Sequence, residues 1–193
     1  DRSCRCQAVA ALGHADHFLD VGCGTGELCL EILRQFPVDS RVTGIDPSQS
    51  MLDRAAVKFS QAGKSAAITL ETGDARQLRF SDATFDGVIT GFCLRNVTDH
   101  GAAIREMVRV TKPSGRIVIL ELTTPNGFLL SKCHRFYNRF IVPALGRIIS
   151  GSDAYRYLTD SIRHFRGAED VRHLVQAAGC SETAIRPLNG GIV

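Results

Sequence analysis

The chain is short of the features that mark several large classes of protein. It has no dense Lys/Arg run and no interleaved aromatic platform, and its formal net charge is only +3 over 193 residues. Nothing therefore points to nucleic acid as a partner. Charges, Gly or Pro interrupt each apolar run well short of the ~20 residues a membrane span needs, and no signal peptide is visible. Its seven cysteines are an odd number, scattered through the sequence without a framework spacing. That pattern fits reduced thiols in a cytoplasm better than disulfides. Cys4 and Cys6 form a lone C-x-C without a second ligand pair, so no metal site is expected. Internal repeats and low-complexity tracts are also missing.

What remains is an ordinary core-forming composition, 44% hydrophobic over 193 residues, which suits one domain, 1–193. Its organising stretch runs from Phe18 to Leu28. Phe18–Val21 reads as a buried strand carrying one acid, Asp20. Gly22, Gly24 and Gly26 alternate after it, and then Leu28, Ile32, Leu33 and Phe36 recur at helical spacing. Strand, glycine turn and helix start make a nucleotide site, because glycine admits positive φ and close ligand approach, and the helix start offers free N–H groups. The spacing is G-x-G-x-G, with Glu27 where the dinucleotide fingerprint has its third glycine. No Lys-Ser/Thr pair follows, so this is not a phosphate-gripping loop. Asp20 and Glu27 suit a ligand with a cationic head. S-adenosylmethionine, with a sulfonium and an ammonium, is such a ligand, although glycine turns also serve NAD proteins.

The rest of the chain alternates strand and helix. A helix before Ala15 ends at Gly13, and another runs from Thr25 to about Phe36, stopped by Pro37. Arg41–Asp46 is the second strand, and a helix opened by Pro47-Ser48 closes near Gly63. Ala66–Glu71 is the third strand, and Val88–Thr90 anchors the fourth after a turn at Asp82–Asp86. A helix with Ile104, Met107, Val108 and Val110 inward leads, through a Pro113-Ser114-Gly115 turn, to a fifth strand at Arg116–Leu122. This predicts an α/β fold with a parallel, doubly wound, Rossmann-like sheet. Beyond Pro125 the pattern turns helical. Residues 125–167 read as a helical insertion lying over the strand ends, where open α/β sheets bind ligands. Glu169–Ala178 is a further helix, and Cys180–Pro187 a late strand.

Two more acids lie at or just past strand ends. Asp46, about 20 residues past the glycines, can accept from both ribose hydroxyls; the alternative is a strand-end turn residue before Pro47. Asp74, in Gly73-Asp74-Ala75, is placed to accept from an adenine amino group while the Ala75 N–H faces a ring nitrogen. Gly-Asp pairs are also plain turns. The loop after the fourth strand, Thr90 to Val97, carries Arg95 and Asn96. Arg95 could hold an oxyanion and Asn96 a hydroxyl; the alternative is an arginine paired with a carboxylate of the fold.

Together these motifs resemble the ubiquinone/menaquinone biosynthesis C-methyltransferases. The resemblance rests on Asp20-Val-Gly-Cys-Gly-Thr-Gly, the Asp46 strand end, Gly73-Asp74-Ala75, the loop Gly91-Phe-Cys-Leu-Arg95-Asn96-Val-Thr-Asp99, and Ala154-Tyr-Arg-Tyr-Leu-Thr-Asp-Ser-Ile162. The first three are shared by class I methyltransferases in general. The last two are specific to this family, and the similarity spans nearly the whole chain. It implies the class I methyltransferase fold, a seven-stranded sheet with one antiparallel strand. It also implies S-adenosylmethionine as donor, S-adenosylhomocysteine as product, and methylation of a ring carbon in a prenylated quinol, with demethylmenaquinol favoured. Thr25, Asp46, Asp74, Ala75 and Gly91 take the family's donor-contact positions, with Asp20 and Gly22, Gly24 and Gly26 in the same turn. Arg95 and Asn96 are the candidates for catalysis. Gly91 stands where serine is common, and Cys93 where glycine is usual, which bears on the loop's shape. The family also carries an N-terminal helical segment over the donor, and this chain starts too late to contain it. It stops at Gly190–Val193, inside the expected last strand, so trimming or disorder is expected at both ends.

His134, Tyr137, Tyr155 and Tyr157 lie in the insertion and either line a quinol pocket or pack. Arg135, Arg139, Arg147 and Arg156, with Phe136, Phe140, Ile141, Ile148 and Ile149, form either a surface for an anionic bilayer or a solvated basic face. The expected location is therefore cytoplasmic, with peripheral membrane contact open, as is association into a homodimer. Two other readings stay open: an O- or N-methyltransferase of another small molecule, and a non-catalytic nucleotide-binding module.

Overall fold

The structure is a computed structural model and describes residues 2–13, 15–37, 39–122 and 167–188. The chain divides into two compact units, residues 1–121 with 174–183, and residues 122–173 with 184–193. The first unit carries the sheet. Its elements run α1 (Arg2–Ala10), β1 (His17–Val21), α2 (Glu27–Gln35), β2 (Arg41–Asp46), α3 (Gln49–Gln61), β3 (Ile68–Thr72), β4 (Phe85–Gly91), α4 (His100–Val110) and β5 (Thr111–Leu120). A last helix, α5 (Ala168–Ala177), follows.

The five strands lie in the order β3-β2-β1-β4-β5, and each pairing is parallel. The chain winds outward from β1 to β3, returns to the centre, and winds outward the other way through β4 and β5. The switch point falls between β1 and β4, and ligands of such sheets bind at the carboxyl ends of those strands. The central strands are apolar on both faces, as a sheet covered by helices on each side requires. Phe18, Leu19, Val88 and Ile89 are fully buried, and β3 at the edge is not. Leu28 and Ile32 of α2, Leu52, Ala55 and Phe59 of α3, and Ile104, Met107 and Val110 of α4 complete the core. Asp99 caps α4, its carboxylate accepting from the Ala102 N–H at 2.8 Å, a contact worth about 1 kcal/mol.

The fold departs from the expectations in three places. β5 begins at Thr111, and the Pro113-Ser114-Gly115 turn lies inside it. Phe85 pairs with Thr111 and Gly87 with Arg116, so the turn becomes a bulge in a continuous strand. Proline survives there because a bulge spares the ladder hydrogen bond it cannot donate. The stretch 180–187 is not a strand; it runs as coil and bends. Five strands, all parallel, occur among the described residues, so the seven-stranded count and the antiparallel strand are not seen there. The insertion expected over 125–167 lies outside the described residues save Gly167.

Candidate donor site and acceptor loop

The glycine turn is built from three glycines that serve different ends. All three adopt left-handed φ: +71° at Gly22, +53° at Gly24 and +78° at Gly26. A Cβ on Gly22 would fall 2.1 Å from the Cys93 Sγ, and one on Gly26 would fall 2.1 Å from the Phe59 ring. These two glycines permit packing. A Cβ on Gly24 would meet nothing within 4 Å, so this is where a ligand can come up against bare main chain. Gly26 then caps α2 without a side-chain bond. The turn is pinned from β2: the Gly22 and Cys23 N–H groups both donate to the Ile45 carbonyl, at 2.8 and 2.9 Å.

Asp46 holds the turn as well as closing β2. Its Oδ2 accepts from the Gly24 N–H and its Oδ1 from the Ser48 N–H, each at 2.9 Å. Each oxygen keeps a second lone pair for a hydroxyl. Asp20 is completely buried in β1. Its Oδ2 accepts from the Cys29 thiol at 3.2 Å, and its Oδ1 has no partner. Burial, with Asp46 nearby, pushes its carboxyl up to about 7. A buried oxygen left without a donor is a polar group the fold leaves unsatisfied. Thr25 accepts at its hydroxyl from Lys58 Nζ (3.1 Å), which also pairs with Glu27 at 2.5 Å. The acid expected to meet a cation is thus already engaged by lysine, which holds its carboxyl below the usual range.

Asp74 lies at the same edge. Thr72 pairs with Asp46, and the Gly73 N–H donates to the Asp46 carbonyl at 3.3 Å. Its carboxylate is clasped by Arg76. Oδ1 accepts from the Arg76 backbone N–H and Nε, and Oδ2 from Nε and Nη2 at 2.6 Å. These bonds hold its carboxyl down at about 2. Ala75, beside it, is half-buried. Gly91 ends β4, and a Cβ there would meet Leu28 Cδ1 at 2.6 Å; the leucine of α2 occupies that space.

The loop after β4 turns at Leu94–Asn96. Arg95 makes a nearly buried ion pair with Glu121, the residue after β5, and its backbone N–H donates to the same carboxylate at 3.2 Å. The carboxylate partner that sequence reading held as the alternative for Arg95 is therefore present. Spacing could not have named Glu121, because 26 residues separate it from Arg95; only the Gly91–Leu120 pairing of β4 with β5 brings them together. The guanidinium lies 5.9 Å from the Phe92 ring centroid, and its Nε has no partner. Asn96 reaches back to the Phe92 carbonyl at 3.5 Å. The doubt that Cys93 raised for the loop moves one residue. Cys93 has ordinary backbone angles, φ −107° and ψ −42°, while Phe92 carries the left-handed φ of 58°. His134, Tyr137, Tyr155, Tyr157 and the basic face at 135–156 lie outside the described residues.

Gly24, with open space beside its main chain, and Asp46, with lone pairs to spare, could hold S-adenosylmethionine at this edge, whereas Asp20 is fully buried and Asp74 is already engaged by Arg76. Among the described residues no group of His, Cys, Asp or Glu could hold a metal ion, and no helix is long and apolar enough to cross a membrane.

The sheet order and the glycine turn at its switch point define the class: this is the fold of the S-adenosylmethionine-dependent methyltransferases. The chain resembles YcgJ from a Bacillus (TM-score 0.69, 19% identity, covering 92% of this chain and 68% of that one). It also resembles a Haemonchus contortus phosphoethanolamine N-methyltransferase with S-adenosylmethionine (0.67, 20%, 91% and 36%). The [4+2]-cyclase SpnF shares the fold (0.67, 26%, 90% and 55%), so architecture by itself does not fix the reaction. The particular family comes from sequence. Residues 2–193 match the ubiE/COQ5 methyltransferase family. The chain is 37% identical over its whole length to the ubiquinone/menaquinone biosynthesis C-methyltransferase UbiE of Geobacter sulfurreducens, covering 76% of that protein. It is 39% identical over 91% of its length to that of Saccharophagus degradans, covering 71%. The chain belongs to the ubiE/COQ5 family and is an S-adenosylmethionine-dependent methyltransferase.

Proposed function

We propose that this chain methylates a ring carbon of a prenylated quinol, with demethylmenaquinol as the favoured substrate. The observation that carries the reading is the family match over residues 2–193, with the Arg95–Asn96 loop at the end of β4 as its local support. S-adenosylmethionine, when bound, supplies an electrophilic methyl on a sulfonium. Asp20 and the Gly24 main chain receive the cationic end of the donor, Asp46 its ribose, and Asp74 with Ala75 its adenine. Thr25 and Gly91 border the same turn. The chain then has two tasks, to align the acceptor carbon and to favour its ionised form. Arg95 stabilises the phenolate oxygen, and Asn96 orients the neighbouring hydroxyl. Glu121 fixes the guanidinium, which limits the reorganisation needed when negative charge develops on the ring. Loss of the hydroxyl proton would place that charge on oxygen and on the ring carbon; the new carbon–methyl bond would replace the donor's methyl–sulfur bond, with S-adenosylhomocysteine as leaving group, and loss of the ring-carbon proton to solvent would restore the aromatic ring.

A prenyl tail resides in a bilayer, so peripheral membrane contact belongs to this reading. Liposome flotation of the full-length protein at low and high salt tests it. The catalytic test incubates full-length protein with labelled donor and either demethylmenaquinol or the demethylated methoxybenzoquinol. The expected product carries the label on ring carbon. Label on oxygen or nitrogen, or no transfer to either quinol by protein that binds S-adenosylhomocysteine, overturns the reading.

A further inference from the structure

Arg76 has more work than an exposed surface arginine ordinarily does. Its Nε and Nη2 grip both oxygens of Asp74 while Nη1 donates to the Thr98 hydroxyl at 2.9 Å. Asp99, the cap of α4, adds attraction from the same side. One guanidinium therefore joins two loops of different purpose. The first follows β3 and carries the acid at the adenine position. The second follows β4 and carries Arg95 and Asn96. The four hydrogen bonds that Arg76 makes to Asp74 use the lone pairs an amino group would need. An adenine at Asp74 must share that carboxylate or displace the arginine from it.

We infer that Arg76 is a positioning residue that competes with the donor's adenine amino group for Asp74 and, through Thr98, ties that competition to the loop bearing Arg95 and Asn96. The inference rests on the donor-site reading of Asp74. Engagement of Asp74 by adenine loosens Arg76 from Asp74 and from Thr98 together, so donor binding alters the restraint on the acceptor loop. By linkage, whatever fixes that loop alters donor affinity by the same factor. The pair is bidentate but roughly half exposed, so the competition is modest and sensitive to salt.

Calorimetric titration of the full-length protein with S-adenosylhomocysteine and with S-inosylhomocysteine, which carries an oxygen in place of the amino group, tests this. Arg76→Ala is expected to bind S-adenosylhomocysteine about two- to five-fold more tightly. It is expected to bind the inosyl analogue more weakly, because Arg76 can donate to that oxygen. Wild-type affinity for S-adenosylhomocysteine should rise with salt, since the ligand is close to neutral, and that of Arg76→Ala should not. Thr98→Val should shift affinity in the same direction by less, and add nothing in the Arg76→Ala background. Unchanged or weaker S-adenosylhomocysteine binding by Arg76→Ala, or equal shifts for both ligands, overturns the inference and leaves the donor site standing. No binding by wild type or any variant overturns the donor-site reading and the inference together. Arg76 is solvent-exposed, so a thermal melt matching wild type shows that the variant folds.

Discussion

Replacing Glu121 by glutamine keeps the shape of the side chain and removes its charge. The Arg95 side chain is 10% exposed and that of Glu121 4%, so the change strands a guanidinium away from water. That guanidinium already has an unpartnered Nε. Breaking a buried pair from one side costs roughly 3–5 kcal/mol, whereas replacing both members by groups of similar volume is often close to neutral. We expect Glu121→Gln and Arg95→Met each to lose about 3 kcal/mol of unfolding free energy. The double variant, with neither charge left behind, should lose about 1 rather than about 6, a coupling of about 5 kcal/mol. Urea unfolding of the full-length protein, followed by circular dichroism at constant m-value, measures all four corners of the cycle. Additivity within about 0.5 kcal/mol would mean that the two charges are effectively solvated. The loop would then have no fixed cation to offer a phenolate.

Three further outcomes follow from the same geometry. Gly24→Ala should keep the fold at a cost of about 1 kcal/mol for its left-handed φ and lose S-adenosylhomocysteine binding. Gly22→Ala and Gly26→Ala should lower the melting temperature more, because their methyls collide with Cys93 and Phe59; equal melting of all three would contradict the packing. Asp20 binds its proton more tightly folded (about 7) than unfolded (about 4). Stability from this group is therefore full below about pH 4 and falls as pH rises towards 7, by on the order of a few kcal/mol, while binding of an ammonium-bearing ligand tightens over the same rise. Asp20→Asn should flatten both profiles, measured by denaturation and by titration. Arg109 donates to Glu106, Asp82 and the carbonyls of Leu78 and Phe80. Arg109→Ala should destabilise by about 2 kcal/mol and speed amide exchange across residues 77–84, with unchanged exchange counting against that stitching role.

Much of the sheet could be read in advance because local pattern and global topology agree. Arg41–Asp46 was placed to the residue, and the glycine turn and helix behind it lie where the spacing put them. β5 was misjudged because Pro113-Ser114-Gly115 carries turn chemistry, and a bulge is a turn that the partner strand absorbs. The run 180–187 is coil with one bend, since Ser181, Glu182 and Pro187 give it little β propensity. The acids that the sequence singles out, Asp20, Asp46 and Asp74, do sit in or just past strand ends. The site's present partners were not legible. Lys58 reaches Thr25 across 33 residues and Glu121 reaches Arg95 across 26, distances over which spacing carries no signal. Arg76, two residues from Asp74, was close enough to see, yet nothing in a Gly-Asp-Ala-Arg run says which way its guanidinium folds.

The sulfur of Cys93, lodged where Gly22 lacks a side chain, acts as a spacer of fixed thickness between the glycine turn after β1 and the loop after β4. Neither loop can gain bulk there without forcing the other outward. Position 22 is held to glycine by its left-handed φ, so the separation of the two loops is set from position 93 alone, and a smaller residue there should bring them closer together by about the width of the missing atom.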